Sequence, residues 1–345
     1  MKRAAVLVVA LLLVTAGLFG KDATVTYVEG TVEIRTEGGT ASVADFGDEL
    51  ETGDRVITGR TGQAELRLTR GGVINVGGDT VFLIGSTVDR AGEPQSRLSA
   101  AVGSFLFRFS SVLGIEPRVG STTAVAGVRG TEVRVYVASD GTTRYEVIEG
   151  LVDIEDPFGH VTLAAAQAVE ITPGAGPGSV FAFLDQPIDY GVWNAGLVEG
   201  FLANPVHSLR GIAAEMYDIL DEIRRRGPRV EALLEGLVEE NETLARIEAE
   251  HGVEARQEYF RATVMPMRLH ARSAYVYLRF VVLSALSLDQ HIFSRLAAEM
   301  EAAHFLDPQN SAAVEFRREL AAIRSHYEDV VVPWLVPSDI PWRKR

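Results

Sequence analysis

Tyr27-Val28-Glu29-Gly30-Thr31-Val32-Glu33-Ile34 is echoed, position by position, by Val147-Ile148-Glu149-Gly150-Leu151-Val152-Asp153-Ile154. Both stretches alternate apolar and polar residues with the period of two that places successive side chains on opposite faces of a strand. A glycine interrupts each alternation. Inside a strand pattern, glycine marks a bulge or a close approach of two backbones. Ala101-Val102-Gly103-Ser104-Phe105-Leu106-Phe107 is a weaker third copy. Recurring strand–glycine–strand units predict a rolled or solenoid-like β stack, with a plain sandwich as the alternative.

Working outward, residues 24–172 keep this grammar. Arg55-Val56-Ile57-Thr58, Ala64-Glu65-Leu66-Arg67-Leu68, Val73-Ile74-Asn75-Val76 and Val133-Arg134-Val135-Tyr136-Val137 are short and rich in β-branched residues, with Gly, Asp or Asn at their borders. They read as strands of an all-β domain. The grammar changes after Pro173-Gly174-Ala175-Gly176-Pro177-Gly178, a punctuated linker. Beyond residue 187 the apolar period is helical. Asn204-Pro205 is a capped start with proline in the first turn, and Gly227-Pro228 predicts the stop at residue 226. Further helices are expected over 229–251, closed by Gly252, and over 253–264, 266–287, 288–305 and 310–332. Five or six helices on short links predict an α-helical bundle. The expected organisation is therefore a signal segment over 1–20, a β domain over 21–175, a linker over 176–186 and a helical domain over 187–345.

The first twenty residues have a grammar of their own. Met1-Lys2-Arg3 carries two cations, an uncharged apolar run follows from Ala4 to Phe19, and Lys21-Asp22 ends it. This is the pattern of a secretory signal peptide, so a periplasmic or cell-envelope location is expected. The same run is just short of a comfortable bilayer span, which leaves an uncleaved anchor as the alternative and the only expected membrane contact. The 345-residue chain has no cysteine, which removes disulfides, thiol catalysis, zinc-thiolate sites and a lipidated N-terminal cysteine. A net charge of −14 disfavours nucleic acid, whose phosphates need a concentrated basic surface. The dense basic clusters, Arg224-Arg225-Arg226 and Arg343-Lys344-Arg345, are a helix end and a tail. The apolar stretch around Tyr275–Leu286 carries Arg279 in its centre, costly in lipid, and reads as a buried helix.

The β region resembles the FecR family over residues 24–175. The resemblance rests on Val28-Glu29-Gly30-Thr31-Val32, on Leu50-Glu51-Thr52-Gly53-Asp54-Arg55-Val56-Ile57-Thr58-Gly59, and on Gly62-Gln63-Ala64-Glu65-Leu66-Arg67-Leu68. Its most specific part is Thr122-Thr123-Ala124-Val125-Ala126-Gly127-Val128-Arg129-Gly130-Thr131-Glu132-Val133. The family's proline after the threonine is absent, and its late glycine turn is replaced by Ala165-Ala166-Gln167. The resemblance implies an extracytoplasmic domain. Regulators of this family carry a sigma-factor-binding segment ahead of their membrane helix, and three residues before the apolar run are too few for one. A non-enzymatic role in binding or scaffolding is therefore expected, with an envelope protein or glycan as partner and no cofactor.

Four groups of residues are candidates for chemistry. Arg129, Gly130, Thr131 and Glu132 form the family signature, expected to be a structural turn in which glycine frees the backbone and a side chain bonds locally. Asp45, Asp48, Glu49, Glu51 and Asp54 could offer oxygens to a calcium ion, but their spacing fits no EF-hand loop and a solvated turn is expected. Phe105, Phe107, Phe109, Tyr136 and Tyr145 would serve a glycan platform if exposed along one face. Glu248/His251 and Glu301/His304 have the Glu-x-x-His spacing of helical di-metal sites. With 17 glutamates and 6 histidines in residues 187–345, such pairs also arise by chance. No metal site is expected, and no nucleophile–base or phosphate-loop arrangement is present.

Overall fold

The computed structural model describes residues 21–36, 39–69, 71–88, 94–109, 117–156, 158–184 and 186–335. It has a strand-rich N-terminal region and a helical C-terminal region. The expected signal segment and the basic C-terminal tail lie outside the described residues.

Three long strands form the trunk of the sheet: β10 (Pro94–Arg108), β12 (Val125–Val137) and β13 (Thr143–Asp156). Two antiparallel ribbons leave β10. Its second half pairs with β7 (Val73–Val76), which passes to β6 (Gln63–Leu68) and then to β1 (Ala23–Glu29). Its first half pairs with β8 (Val81–Leu83), which passes to β5 (Arg55–Thr58) and β2 (Val32–Arg35). Because β1 and β2 are consecutive, the two ribbons rejoin at Gly30, and the sheet closes like a barrel.

Two short strands trim the free ends, β3 (Ala41–Val43) on β2 and β4 (Glu49–Leu50) on β1. Two more flank β10: β9 (Ser86–Val88) pairs antiparallel with it, and β11 (Arg118–Gly120) runs parallel to it. On the far side of β12, β13 carries β15 (Gln167–Thr172) on its first half and β14 (Gly159–Ala164) on its second. The segment expected as a linker contains β16 (Gly176–Pro177) and β17 (Phe181–Ala182), both hydrogen-bonded to β15. Its glycines and prolines punctuate the chain without detaching it from the sheet.

The glycines of the echoed stretches sit where one strand serves both ribbons or both halves. Gly30 has φ +67°, and a Cβ there would lie 2.5 Å from the carbonyl oxygen of Thr61. Gly150 has φ +89°, and its Cβ would lie 2.6 Å from the oxygen of Gly130. Both combine a left-handed backbone with a backbone neighbour that leaves no room for a methyl group. Gly103 marks the equivalent bend of β10 against Thr80. Alternate residues on either side of the bends face one core. Val25, Leu66 and Ile74 from one ribbon meet Val32, Val56 and Phe82 from the other, with Val133, Val135, Val152 and Ile154 from the trunk. Phe82, Phe105 and Phe107 pack ring on ring at centroid distances of 5.6–6.1 Å. Each such buried side chain contributes roughly 2–3 kcal/mol.

Helix α1 (Tyr190–Ala203) begins at Asp189, whose side chain accepts the Val192 N–H at 3.0 Å. Helix α2 (Pro205–Tyr259) does not stop at Gly227-Pro228. Proline at 228 costs an intrahelical hydrogen bond, about 3 kcal/mol. Offsetting it, Val230, Leu234 and Leu237 continue the buried face, and Gly227 lies against the Trp334 ring, 2.7 Å from where a Cβ would stand. The expected break at Gly252 is present as a residue with φ 86° and ψ 179°.

The helices expected at 253–264, 266–287 and 288–305 run into one another through two wide turns, Phe260–Val264 and Leu288–Phe293. In these the Met265 N–H bonds Phe260 O and the Ser294 N–H bonds Asp289 O, each five residues back. The extra residue re-phases the apolar face, so that Leu288, Ile292 and Phe293 stay buried between α3 (Met265–Ser287) and α4 (Ser294–Leu306). Helix α5 (Ser311–Val331) starts where it was expected, and the Asn310 side chain caps it by accepting the Ala313 N–H at 3.1 Å. Arg279 is buried within α3 and reaches Trp334 O at 3.4 Å. Among the described residues, no helix is long and apolar enough to cross a membrane.

The crossings set a stability test. Gly150→Ala should lower unfolding stability by roughly 3 kcal/mol or more, adding steric collision to a strained backbone. Gly47→Ala shares the positive φ (+89°) but has open space around it, and should cost about 1 kcal/mol. Urea unfolding of the two variants beside the parent protein measures the difference.

Candidate functional site

The signature residues lie inside the ladder between β12 and β13. Pairing shifts register between Arg129 and Glu132 and again between Glu132 and Val133, which defines a bulge. Gly130 adopts φ +54° there, beneath Gly150. The expected turn is thus a bulge within a continuous strand, because the crossing needs local backbone freedom without a change of direction. Thr131 O accepts the Phe109 N–H at 2.9 Å. The Thr131 hydroxyl makes no local hydrogen bond. It is buried without a partner, and the Thr131 methyl instead packs on Gly150. Glu132 pairs with Arg108 at 2.9 Å, and Arg108 also donates to Asn75 Oδ1 at 2.8 Å. The side chain of Arg129 lies outside the described residues.

The acidic loop uses its carboxylates on its own backbone. Asp48 accepts the Asp45 N–H at 2.8 Å, Asp54 accepts the Glu51 N–H at 2.9 Å, and Glu49 pairs with Lys21 at 2.7 Å. The two Glu-x-x-His pairs are on separate helices. Glu248 binds Arg256 at 3.1 Å, and Glu301 is paired with Arg317. Among the described residues no three His, Asp or Glu side chains gather as a metal would require. Phe105, Phe107, Phe109, Tyr136 and Tyr145 are all buried, so the glycan platform is corrected to core. Phe105 and Phe107 alternate along β10, and with Phe109 just beyond it they point into the sheet interior, where Tyr145 of β13 joins them, whereas Tyr136 of β12 is buried against Trp193.

The most developed polar constellation joins the sheet to the helices. Glu146 on β13 is fully buried between two arginines, with Arg144 Nη2 at 2.7 Å and Arg134 Nη1 at 3.4 Å. Arg144 extends to Glu170 on β15 at 3.3 Å, and its guanidinium lies 5.0 Å from the Phe181 ring centroid. Glu170 in turn accepts the Trp193 indole N–H at 3.1 Å, which carries the chain of contacts into α1. Three further contacts fasten that helix. Tyr190 OH donates to Val137 O at 3.0 Å, the Ser139 N–H donates to Asn194 Oδ1 at 2.8 Å, and Trp193 packs between Tyr136 and Tyr190. Burial pushes the Tyr190 hydroxyl well above its usual range.

Apolar contact and a histidine complete the seam. Leu83 of β8 is buried in the helical core rather than that of the sheet. His291, on the second wide turn, is lowered to about 4 by burial and by Arg55 and Arg35 of the sheet. Of these seam residues only Tyr136 was a sequence candidate, and for a glycan platform rather than for a contact with a helix. No motif singled out Glu146 or Arg144, whose partners Arg134, Glu170 and Phe181 come from other strands.

Residues 54–153 match the family model described as FecR protein. That span starts just before β5 and ends within β13, so β1 and β2, which close the sheet, fall outside it. A search of curated proteins finds no match. Two crystal structures of a candidate anti-sigma factor from Parabacteroides distasonis, at 1.65 and 2.50 Å resolution, are similar at 16% identity and a TM-score of 0.33. The alignment covers 40% of this chain and 63% of each of theirs, so the chain spans less than two thirds of the proteins it matches. At that score nothing about fold or activity is carried over.

The seam sets the second test. Removing one partner of a buried ion pair strands the other charge, so Glu146→Ala should cost about 3–5 kcal/mol. Glu33→Ala removes the half-exposed pair with Arg35, 2.7 Å apart, and should cost less than about 1 kcal/mol. Chemical denaturation of both variants checks the contrast.

Proposed function

We propose, taking residues 54–153 as a FecR-type domain, that this chain is an exported cell-envelope protein acting as a non-enzymatic binding or scaffold module. In this reading the FecR-type sheet is a rolled platform, the helices pack on it as a bundle, and the two present one composite surface to a protein partner. The observation that carries the composite surface is the run Glu146–Arg144–Glu170–Trp193, which leads from fully buried Glu146 to the half-exposed Glu170 and ties β13 and β15 to α1. A helical region held this way moves with the sheet. Two features support a non-enzymatic role: the acidic loop is spent on its own turns, and Glu146 and Arg144 are spent on the seam. The basic–apolar opening of the sequence supports export. Burial of the five β-domain aromatics removes the feature on which glycan binding was to rest.

Export and binding are tested separately. Cell fractionation of the full chain and of a variant lacking residues 1–20 should place the first in the envelope fraction and retain the second in the cytosol. Equal distribution would overturn export. Crosslinking with mass spectrometry in intact envelopes should give heterologous crosslinks from both sheet and helices. Crosslinks confined to one region would overturn the composite surface.

A further inference from the structure

All three residues of β3 (Ala41–Val43) are exposed, and among the described residues this strand pairs with β2 alone. The Thr36 N–H bonds Thr40 O and the Ala44 N–H bonds Val32 O, each at 2.9 Å. Residues 32/44, 34/42 and 36/40 are therefore the hydrogen-bonded pairs of this antiparallel ladder, and 33/43 and 35/41 are the pairs between them. It follows that Ala41 and Val43 turn their backbone N–H and C=O groups away from β2. On the strand and just after it stand two large apolar side chains, Val43 at 83% and Phe46 at 74% exposure. An edge with outward backbone groups and exposed apolar side chains is a template for one more strand.

Proteins commonly guard such an edge with lysine, proline or a bulge. Residues 36–54 contain no lysine, arginine or proline, and six acidic side chains. Asp45 and Asp48 bond neutral backbone N–H groups, which leaves the negative field of the loop in place. Two cations that reach this margin, Arg35 and Lys21, are held by Glu33 and Glu49 at 2.7 Å. An acidic strand is repelled here, and so is the same edge of a second copy, whereas a basic strand is attracted. We propose that the free edge of β3 takes up an extended segment of alternating basic and apolar residues from another protein, which adds a strand to the sheet. Main-chain bonds to Ala41 and Val43 set the register, Val43 and Phe46 give the apolar contacts, and the acidic loop selects for positive charge. This goes beyond the composite surface proposed above and stands or falls separately from it.

Fluorescence anisotropy of the full chain with three labelled peptides tests the proposal: lysine alternating with valine, glutamate alternating with valine, and lysine alternating with proline. The first should bind, with an affinity that falls as salt rises. The second should not, because its charge is wrong, nor the third, because proline cannot complete the ladder. Val43→Pro deletes the outward N–H and leaves the bonds of residues 42 and 44 to β2, so it should weaken the lysine–valine peptide about tenfold or more. Hydrogen exchange on the parent gives a reading that needs no variant, since that peptide should slow the Ala41 and Val43 amides. The proposal is overturned if the lysine–valine peptide does not bind, if it binds no better than the lysine–proline peptide, if parent and Val43→Pro bind it equally, or if exchange at Ala41 and Val43 is unchanged. It is overturned in favour of a second copy if the parent is a dimer that Val43→Pro converts to a monomer.

Discussion

The sheet depends on places where two backbones cross with no side chain between them. At Gly30 the carbonyl of Thr61, in the turn between β5 and β6, and at Gly150 that of Gly130 in β12 comes closer than a Cβ would permit, and the backbone takes a left-handed φ. These two conditions allow one strand to leave one ribbon and enter another without ending. Closure between β1 and β2, the double service of β10, and the split partnership of β13 with β14 and β15 all follow. So does the single core, since a sheet that bends back faces itself and buries both ribbons' inward residues together.

The family signature belongs to this same constraint. Gly130 lies opposite Gly150, and Thr131 contributes its methyl rather than its hydroxyl to the contact. Signature and echo, which looked like separate features of the sequence, are the two sides of one crossing. The helical region is attached by different physics. Its core is apolar and includes Leu83 from the sheet, while the margin of the seam is a run of charge and aromatic contacts ending on Trp193. Glu146 can be buried there because two arginines and the strand geometry satisfy it.

Local signals were legible wherever the cause was local. Pro205 opens α2 and Gly252 interrupts it, because a fixed proline φ and a positive glycine φ are properties of single residues. The Asn204 side chain expected to cap α2, by contrast, makes no capping hydrogen bond. Gly227-Pro228 misled, because the penalty of proline was outweighed by Trp334, more than a hundred residues away, and by the buried face that continues beyond it. The boundaries near 265 and 288 misled for a related reason. A wide turn absorbs a phase error that the sequence pattern shows as a stop. Export and the role of Arg129 rest on residues or side chains outside those described.

By itself, the sequence determined the two grammars, the glycine-marked strand units and the family resemblance, because period and glycine placement are properties of consecutive residues. The tertiary structure decided which backbones those glycines let together, and that the aromatics of β10 are core. It also decided that the sheet and helices share a seam in which Glu146 and Glu215 are buried. Those groups come together from distant parts of the chain, and their burial exists only once the other side of the seam is in place.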